Sequence, residues 1–296
     1  MNIRGDMSWR TVVISKRAKL DYSQGYMFCR GEQVQRVHLS EMRMLIIEST
    51  AVSLTSALLC ELMHNNIKVI FCDECYNPQS ELIPYSGSYD TADKVKQQIS
   101  WESSICSQVW TDIIRNKIIQ QSALLRRLGM NESSDKIDEY LEGLLLDDVS
   151  NREGMAARIF FNSLYDKSFS RNDKSLSINK ALNYGYSILL SAINREISAN
   201  GYLMMLGLHH IGNTNPYNLG CDLMEPFRPL VDEMVYHLAP EKFETEEKRV
   251  LQTLLQVTVL QQGEQRYVST AVECYVRSVF RALNEQDISR IIYYVK

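Results

Sequence analysis

Residues 97–129, QQISWESSICSQVWTDIIRNKIIQQSALLRRLG, place their apolar side chains at the spacing of a helix face. The positions that share this face are Ile99, Cys106, Trp110, Ile113, Ile114, Ile118 and Leu124. Apolar residues that recur three and four positions apart are typical of a helix with one side in a core. The stretch therefore predicts a long amphipathic helix, and it marks the start of a helical part of the chain near residue 90.

The residues before this helix have the composition and the alternating pattern of β-strands. The run WRTVVIS at 9–15 is rich in β-branched residues, and the pair Gln24–Gly25 separates two alternating segments, as in a hairpin turn. The segment 55–66, TSALLCELMHNN, predicts one amphipathic helix with Thr55 or Ser56 as its N-cap. The run KVIFC that follows it predicts a buried strand.

Helical patterns dominate the rest of the chain. The segment 177–201 is long enough for more than six helical turns before its terminal Gly201. The segment 246–285 predicts two amphipathic helices around a turn at Gly263. We assign this C-terminal segment no catalytic role.

The fold class that follows is α+β. A chain of 296 residues, 45% hydrophobic and 23% charged, is typical of a globular protein of about two domains. We expect a small β-rich N-terminal domain at 1–90 and a larger all-helical domain at 91–296, joined by a short segment near 86–95.

The net charge of −4 excludes a global basic field of the kind that makes a protein bind polyanions non-specifically. The charge is segregated, however. Residues 131–148 carry seven acids and one lysine, whereas residues 151–182 carry six bases and three acids. A solvated face is the simplest interpretation of either run, so any role in binding nucleic acid must rest on local patches.

No stretch reaches the roughly 18 uncharged apolar residues that a membrane-spanning helix requires, and the sequence MNIRGDMSWRTVVIS lacks the apolar core of a signal peptide. We therefore expect a cytoplasmic protein without a membrane partner. The seven cysteines are odd in number and favour reduced thiols. Cys72 and Cys75 form one CxxC, but a structural zinc site needs a second pair, and nucleotide-binding glycine motifs are absent from the sequence.

Glu153 is the first candidate site residue. It lies in SNREGMAARIFF, in the first turn of a predicted helix with Ser150 or Asn151 as its cap. Small residues follow it and would let another helix or a substrate approach closely. The alternative is that Glu153 only complements the helix dipole.

His210 is the second candidate, at the point where LMMLGLHH runs into a loop rich in Gly, Asn and Pro. Its neighbour His209 competes for the same role, and either ring could be a half-buried polar group without a ligand.

Glu225, in CDLMEPFRPLVD, is the third candidate. Asp222 lies three residues before it on the same face, and Pro226 predicts that the pair lies at a helix start. The alternative is a cap at Asp222 with a surface ion pair between Glu225 and Arg228.

Two carboxylates and one imidazole from separate segments are the donors of a divalent metal site with open coordination positions. Oxygen ligands suit Mg²⁺ or Mn²⁺, and the imidazole tilts the preference towards Mn²⁺. Because Arg158 lies close in sequence to Glu153 and Arg228 close to Glu225, a phosphodiester is the natural substrate.

The segments NREG, AARIF, the GLxH that ends at His210 and DLMEPFRPLVD occur in an order that resembles the CRISPR-associated integrase family, the Cas-one adaptation proteins. The resemblance covers about residues 8–240 and is strongest to the version that accompanies type II-A systems. It implies that Glu153, His210 and Glu225 hold one Mg²⁺ or Mn²⁺ and that Asp222 is a second acid near the metal. It favours His210 over His209, which fills the variable position of GLxH.

The resemblance also implies partners and a reaction. The β-rich domain would form a homodimer, and two dimers would flank a dimer of the small Cas-two protein. The free 3′ hydroxyl of a captured double-stranded DNA fragment would attack a phosphodiester at the edge of a CRISPR repeat. We take Arg152, Arg158 and Arg228 as candidate DNA contacts; the type II-A effector nuclease and a ring-forming helper are possible further partners.

Two other functions remain open from the sequence. One is a metal-dependent endonuclease that acts on branched or single-stranded DNA through water as the nucleophile. The other is a non-catalytic DNA-binding scaffold that uses the same acids structurally.

Overall fold

A computed structural model describes residues 10–74, 78–84 and 90–296. The chain divides into two compact units, Met1–Tyr89 and Asp90–Lys296. Trp9, Cys75 and part of the expected junction lie outside the described residues.

The first unit contains two four-stranded sheets. One has the strand order β1-β5-β7-β8 and the other has the order β4-β3-β2-β6. The strands are β1 Arg10–Ile14, β2 Ala18–Ser23, β3 Tyr26–Arg30, β4 Val34–His38, β5 Met42–Ile47, β6 Val52–Leu54, β7 Lys68–Cys72 and β8 Pro78–Leu82, with helix α1 at Ser56–His64. Every residue of β5 is buried, which places this strand in the core of the unit.

Two local predictions in this unit are confirmed. Gln24 and Gly25 both have positive φ, 50° and 82°, between the paired residues Ser23 and Tyr26, as a tight hairpin turn requires. Thr55 is the N-cap of α1, and its hydroxyl accepts the N–H of Leu58 at 3.3 Å.

The second unit is mostly helical. Its helices are α2 Thr91–Ile99, α3 Ser103–Arg127, α4 Asn131–Glu142, α5 Arg152–Leu164, α6 Ser177–Ala199, α7 Asn218–Met224, α8 Arg228–Leu238, α9 Thr245–Gln252 and α10 Val268–Glu285. Helix α3 packs against α4, α5, α8 and the 3₁₀ turn Glu225–Phe227, so it forms the centre of the unit. The α+β class, with a β-rich part followed by a mostly helical one, is confirmed.

The predicted single helix over 97–129 is in fact two helices. Tertiary hydrogen bonds end the first one: the Gln98 amide bonds the backbone of Leu203 and Leu206 at 2.8–3.0 Å. The indole N–H of Trp101 donates to Asn284 at 2.9 Å. These contacts turn the chain between α2 and α3 and leave Ile99 70% exposed, off the predicted apolar face.

The predicted pair of helices around Gly263 is confirmed as α9 and α10, but a strand hairpin that was not predicted lies between them. Gln262 and Gly263 have φ of 53° and 81° and join strands β9 Thr258–Gln261 and β10 Glu264–Tyr267 in an antiparallel hairpin. Two successive residues of positive φ favour a tight strand turn over a helix end.

The C-terminal residues pack beneath the 3₁₀ turn that carries Glu225. The Tyr294 ring is fully buried against Phe227, and its hydroxyl donates to the carbonyl oxygen of Pro226 at 3.0 Å. Gln120 of α3 donates to the Tyr294 carbonyl at 2.7 Å. Across the residues that the structure describes, no helix combines the length and the apolar character needed to cross a membrane.

Candidate functional site

Glu153 lies in the first turn of α5, and Asn151 occupies the N-cap position, as predicted. Asn151 has a left-handed backbone, φ 52°, and makes no side-chain cap. The Asp148 carboxylate instead accepts the backbone N–H groups of Arg152 and Glu153 at 2.7 and 2.9 Å. The left-handed residue turns the chain so that an acid three positions further back reaches the helix start.

The central feature of the site is the ammonium of Lys117, on α3. Its Nζ lies 2.5 Å from Oε1 of Glu153 and 2.5 Å from Oε2 of Glu225. The side chains of Lys117 and Glu225 are each 7% exposed, whereas that of Glu153 is 32% exposed. Two carboxylates from separate segments therefore converge on one buried cation.

Glu225 begins a 3₁₀ turn, and Arg228 begins α8 directly after it. The Arg228 guanidinium donates to Oε1 of Glu225 at 2.9 Å and lies over the Tyr186 ring, 4.3 Å from its centroid. Burial raises the pKa of Glu225, but the charges of Lys117 and Arg228 outweigh it and set that pKa at about 2. Glu225 is therefore a carboxylate at any physiological pH, in a buried ion pair instead of the surface pair that the sequence left open.

Asp232 continues this network behind Arg228. It accepts a hydrogen bond from the Tyr186 hydroxyl, and its side chain is buried. Burial raises the pKa of Asp232 to about 6, although the Tyr186 hydrogen bond and the Arg228 charge lower it.

Asp222 organises the loop that carries His210. The helix start predicted for the pair Asp222 and Glu225 is wrong for Asp222, which lies inside α7 because the helix begins four residues earlier at Asn218. Its fully buried carboxylate accepts the backbone N–H groups of Leu208, His209 and His210 at 2.6, 3.1 and 3.2 Å. It also lies 2.5 Å from Nδ1 of His210.

This contact sets the state of the His210 ring. The hydrogen bond to Asp222 raises the pKa of His210, while partial burial opposes that shift. A carboxylate at Nδ1 fixes the proton there and leaves Nε2 as the nitrogen able to bind a ligand. Trp110 supports both histidines: its ring stacks on His209 with centroids 4.4 Å apart and meets His210 edge-on at 5.7 Å.

The residues expected to bind a metal thus form two adjacent parts. Glu153 and Glu225 share the Lys117 ammonium, and His210 is bound to Asp222. Among residues 10–74, 78–84 and 90–296, no three His, Cys, Asp or Glu side chains are grouped closely enough to hold a metal ion as they stand. The donor chemistry nevertheless fits a hard divalent cation, because the two carboxylates already converge on a positive charge.

The three arginines expected to contact DNA have different surroundings. Arg158 is exposed on α5. The Arg152 guanidinium lies over the Tyr140 ring, 5.5 Å from its centroid. Arg228 is 28% exposed and engaged by Glu225. A role in binding DNA remains a prediction for all three.

Sequence reasoning missed Lys117, Tyr186 and Asp232. A signal for Lys117 was present, because it lies four residues after Ile113 and three after Ile114, on the face predicted to be apolar. A lysine at such a position is buried only when it is paired. No comparable signal identifies Tyr186 or Asp232, whose contact joins α6 to α8 across 46 residues.

Gly207 permits the close approach of the loop to Asp222. A Cβ atom there would lie 2.3 Å from the carbonyl oxygen of His210 and 2.8 Å from Oδ2 of Asp222. We expect Gly207→Ala to lower the free energy of unfolding by about 1–3 kcal/mol, measured by urea denaturation. Gly212→Ala is the matched control, since a Cβ at Gly212 would meet its nearest atom at 3.6 Å. Equal stability of the two variants would contradict the proposed packing.

Comparison with known proteins identifies the family. The family model for "CRISPR associated protein Cas1" matches residues 11–271. A "CRISPR-associated endonuclease Cas1" from Neisseria meningitidis serogroup C is 32% identical over 78% of this chain and 76% of the relative. A "CRISPR-associated endonuclease Cas1 1" from Pyrobaculum aerophilum is 29% identical over 75% of this chain and 79% of the relative.

Solved structures share the fold. A "Casposase bound to integration product" superposes with a TM-score of 0.74 at 17% identity, covering 95% of this chain and 93% of the casposase chain. A Cas1 protein from Thermotoga maritima superposes with a TM-score of 0.72 at 15% identity, covering 93% and 97% of the two chains. By the extent of the family match and the identity to the Neisseria relative, the chain belongs to the Cas1 family of CRISPR-associated proteins.

Proposed function

We propose that this protein is a metal-dependent DNA integrase of CRISPR adaptation, which joins the 3′ hydroxyl ends of captured DNA to a CRISPR repeat. The observation that carries the proposal is the convergence of Glu153 and Glu225 on one cation, beside a histidine whose ring is set by Asp222. Relatives named as endonucleases and a similar fold bound to an integration product support DNA phosphodiesters as the substrate.

Glu153, Glu225 and Nε2 of His210 would hold one Mg²⁺ or Mn²⁺, with Asp222 as the acid behind the histidine. Such an ion, when bound, stabilises the negative charge that develops on a phosphodiester and aligns the attacking oxygen. Two oxygen ligands and one imidazole suit Mn²⁺ and Mg²⁺ better than softer metals.

The chain's own groups prepare this arrangement. Lys117 and Arg228 keep Glu225 ionised, as the low pKa of that carboxyl indicates. Asp222 holds the proton on Nδ1 of His210 and therefore keeps the lone pair of Nε2 available. The attacking group is the DNA 3′ hydroxyl: one P–O bond forms, another breaks, and the displaced strand leaves with its own 3′ hydroxyl. Such an exchange needs no protein nucleophile.

DNA binding would use the basic segment that begins with α5. The exposed Arg158 is the strongest candidate for a phosphate contact. Arg152 lies six residues before it, at the start of the same helix. Phosphate contacts position a duplex without reading its sequence, so the choice of repeat would rest partly on DNA shape. A homodimer, assembled with a Cas-two dimer, would multiply this modest basic surface. A chain with a fold similar to that of this protein occurs in a "Cas6-RT-Cas1--Cas2 complex". The type II-A effector nuclease and the ring-forming helper are further proposed partners.

The second candidate function is a metal-dependent endonuclease, which the names of the relatives favour. It would use the same three ligands with water as the attacking group. The two functions differ in their product, because joining links two DNA molecules whereas hydrolysis only cleaves one. A non-catalytic scaffold would catalyse neither reaction itself, so any joining in its presence would not depend on Glu153 or His210.

The test uses a labelled short duplex, a repeat-bearing plasmid, the Cas-two partner and Mn²⁺ or Mg²⁺. We expect His210→Ala to reduce covalent joining about 100-fold or more, because the single nitrogen ligand of the proposed metal site is lost. His209→Ala is the matched control, since it removes the adjacent imidazole that stacks on Trp110. Its joining should stay within a few fold of the wild type.

Other outcomes identify the alternatives. Undiminished joining by His210→Ala with loss in His209→Ala would transfer the role to His209. Metal-dependent nicking without joined product would favour the endonuclease. Joining unchanged in both Glu153→Ala and His210→Ala would indicate a scaffold.

A further inference from the structure

Lys117 is a cation in the place where the divalent ion of the proposed function would bind. Its ammonium lies 2.5 Å from one oxygen of each glutamate. It reaches that place from α3, whose neighbouring buried residues include the apolar Ile113, Ile114 and Ile118. The lysine is therefore an interior side chain whose charge is matched by these carboxylates.

The electrostatic balance explains why an ammonium is stable there. Burial of an isolated charge is strongly unfavourable, and it is tolerated when opposite charges and hydrogen bonds compensate it. Glu153 and Glu225 supply two negative charges, and Lys117 with Arg228 supplies two positive ones. Each of the two glutamates is thus paired with a cation of the chain itself, without any bound ion.

The two cations are not equivalent. Arg228 binds Oε1 of Glu225 and is held over the Tyr186 ring. Lys117 binds Oε2 of Glu225 and Oε1 of Glu153, between the two carboxylates. A lysine side chain has four rotatable bonds and presents a compact charge, so it can withdraw more readily than a stacked guanidinium.

We propose that Lys117 is an internal substitute for the divalent ion: it holds the two glutamates together in the metal-free protein and withdraws from at least one of them when the ion binds. This inference rests on the metal site of the proposed function. Lys117 is accordingly a positioning residue that opposes metal binding, since each binding event must break a buried ion pair. Its loss should tighten the binding of metal and weaken the metal-free fold.

The direct test measures Mn²⁺ binding without DNA, from the electron paramagnetic resonance signal of the free ion. We expect Lys117→Met to bind Mn²⁺ at least about tenfold more tightly than the wild type, because a competing positive charge is removed. The melting temperature of metal-free Lys117→Met should be lower than that of the wild type. Saturating Mn²⁺ should raise the melting temperature of the variant by more than it raises that of the wild type.

Two variants serve as controls. Lys117→Arg keeps a positive charge on α3 and should bind Mn²⁺ no more tightly than the wild type. Lys248→Met removes another buried lysine, one that lies over the rings of Tyr184 and Phe243 at 5.6 and 5.5 Å. It should leave the affinity for Mn²⁺ unchanged.

A second measurement needs no variant at Lys117. Acetylation of the wild-type protein by a water-soluble reagent, followed by mass spectrometry, should label Lys117 several-fold faster with Mn²⁺ than without it. Labelling of Lys248 should not change. Equal labelling of Lys117 in both states would overturn the inference, even if Lys117→Met fails to fold.

The outcomes separate the inference from the function on which it rests. Mn²⁺ binding that is lost in His210→Ala but is equal or weaker in Lys117→Met would overturn the role of Lys117 and leave the metal site intact. Binding of Mn²⁺ that does not depend on His210 in the wild type would overturn the metal site, and the inference with it.

Discussion

Glu225→Gln is expected to reduce DNA joining about 1000-fold, a larger loss than we expect from His210→Ala or from any change at Asp222. The amide has the shape of the carboxylate but lacks its charge, so it loses both its attraction for a divalent cation and its ion pairs with Lys117 and Arg228. Breaking a buried pair from one side should also lower the free energy of unfolding by about 3–5 kcal/mol. Joining assays below the melting temperature of the variant separate the two effects.

The pH dependence of stability provides a second test of Glu225. Its pKa in the folded protein is about 2, below the ordinary value of 4.5. A lowered pKa stabilises the fold above the ordinary value, and this contribution is lost as the pH falls towards the folded value. The difference in unfolding free energy between wild type and Glu225→Gln should therefore be constant above about pH 5 and shrink between pH 4.5 and 2.

Glu233→Gln is the matched control for this substitution. Glu233 lies on α8, where it is paired with Arg127 and Lys296, outside the glutamate pair. It should keep joining within a few fold of the wild type. A folded Glu225→Gln protein that joins DNA as well as this control would exclude Glu225 as a ligand.

Asp222→Asn is expected to reduce joining about 10- to 100-fold, although Asp222 need not touch the metal. Its two oxygens accept three backbone N–H groups and face Nδ1 of His210. An asparagine must direct its NH₂ group at one set of these donors. If the NH₂ faces His210, the ring has to move its proton to Nε2, and that nitrogen can then no longer bind a cation.

The measurement combines joining with Mn²⁺ affinity and urea denaturation. We expect Asp222→Asn to lose about 1–3 kcal/mol of stability, because a buried donor is left without an acceptor. Asp112→Asn is the control: Asp112 accepts the Tyr293 hydroxyl at 2.8 Å, and an asparagine oxygen can accept that bond equally well. Unchanged Mn²⁺ affinity in Asp222→Asn would contradict its role in setting the His210 ring.

The fold was predictable where short-range signals decide it. The Gln24–Gly25 turn and the Thr55 cap depend on neighbouring residues alone, and both are confirmed. The break before α3 was not predictable, since it depends on bonds from Gln98 to residues 105 and 108 positions away. The hairpin at Gly263 was missed because its apolar spacing also suits a helix, and the turn geometry decides between them.

The acids and the histidine of the candidate site could be proposed from the sequence, and their role as ligands stays a prediction; the groups that hold them in place could not be predicted. Glu153, Glu225 and His210 stand out by residue type and by position at helix or loop ends. The cap of α5 by Asp148 depends on the left-handed Asn151, which composition does not indicate. The role of Lys117 depends on the approach of α5 and the 225–227 turn to α3, and such contacts arise only in the tertiary structure.

The burial of Tyr294 beneath Pro226 has a consequence for biosynthesis. These two residues are separated by 68 positions, and Gln120 must meet Tyr294 across 174. On a ribosome that adds about 5–20 residues per second, the turn with Glu225 is made roughly 3–14 s before the tyrosine that supports it. During that interval the nascent chain carries its acids without their final support. The final support of the Glu225 turn should therefore form only after Tyr294 has been made and the helical unit can close.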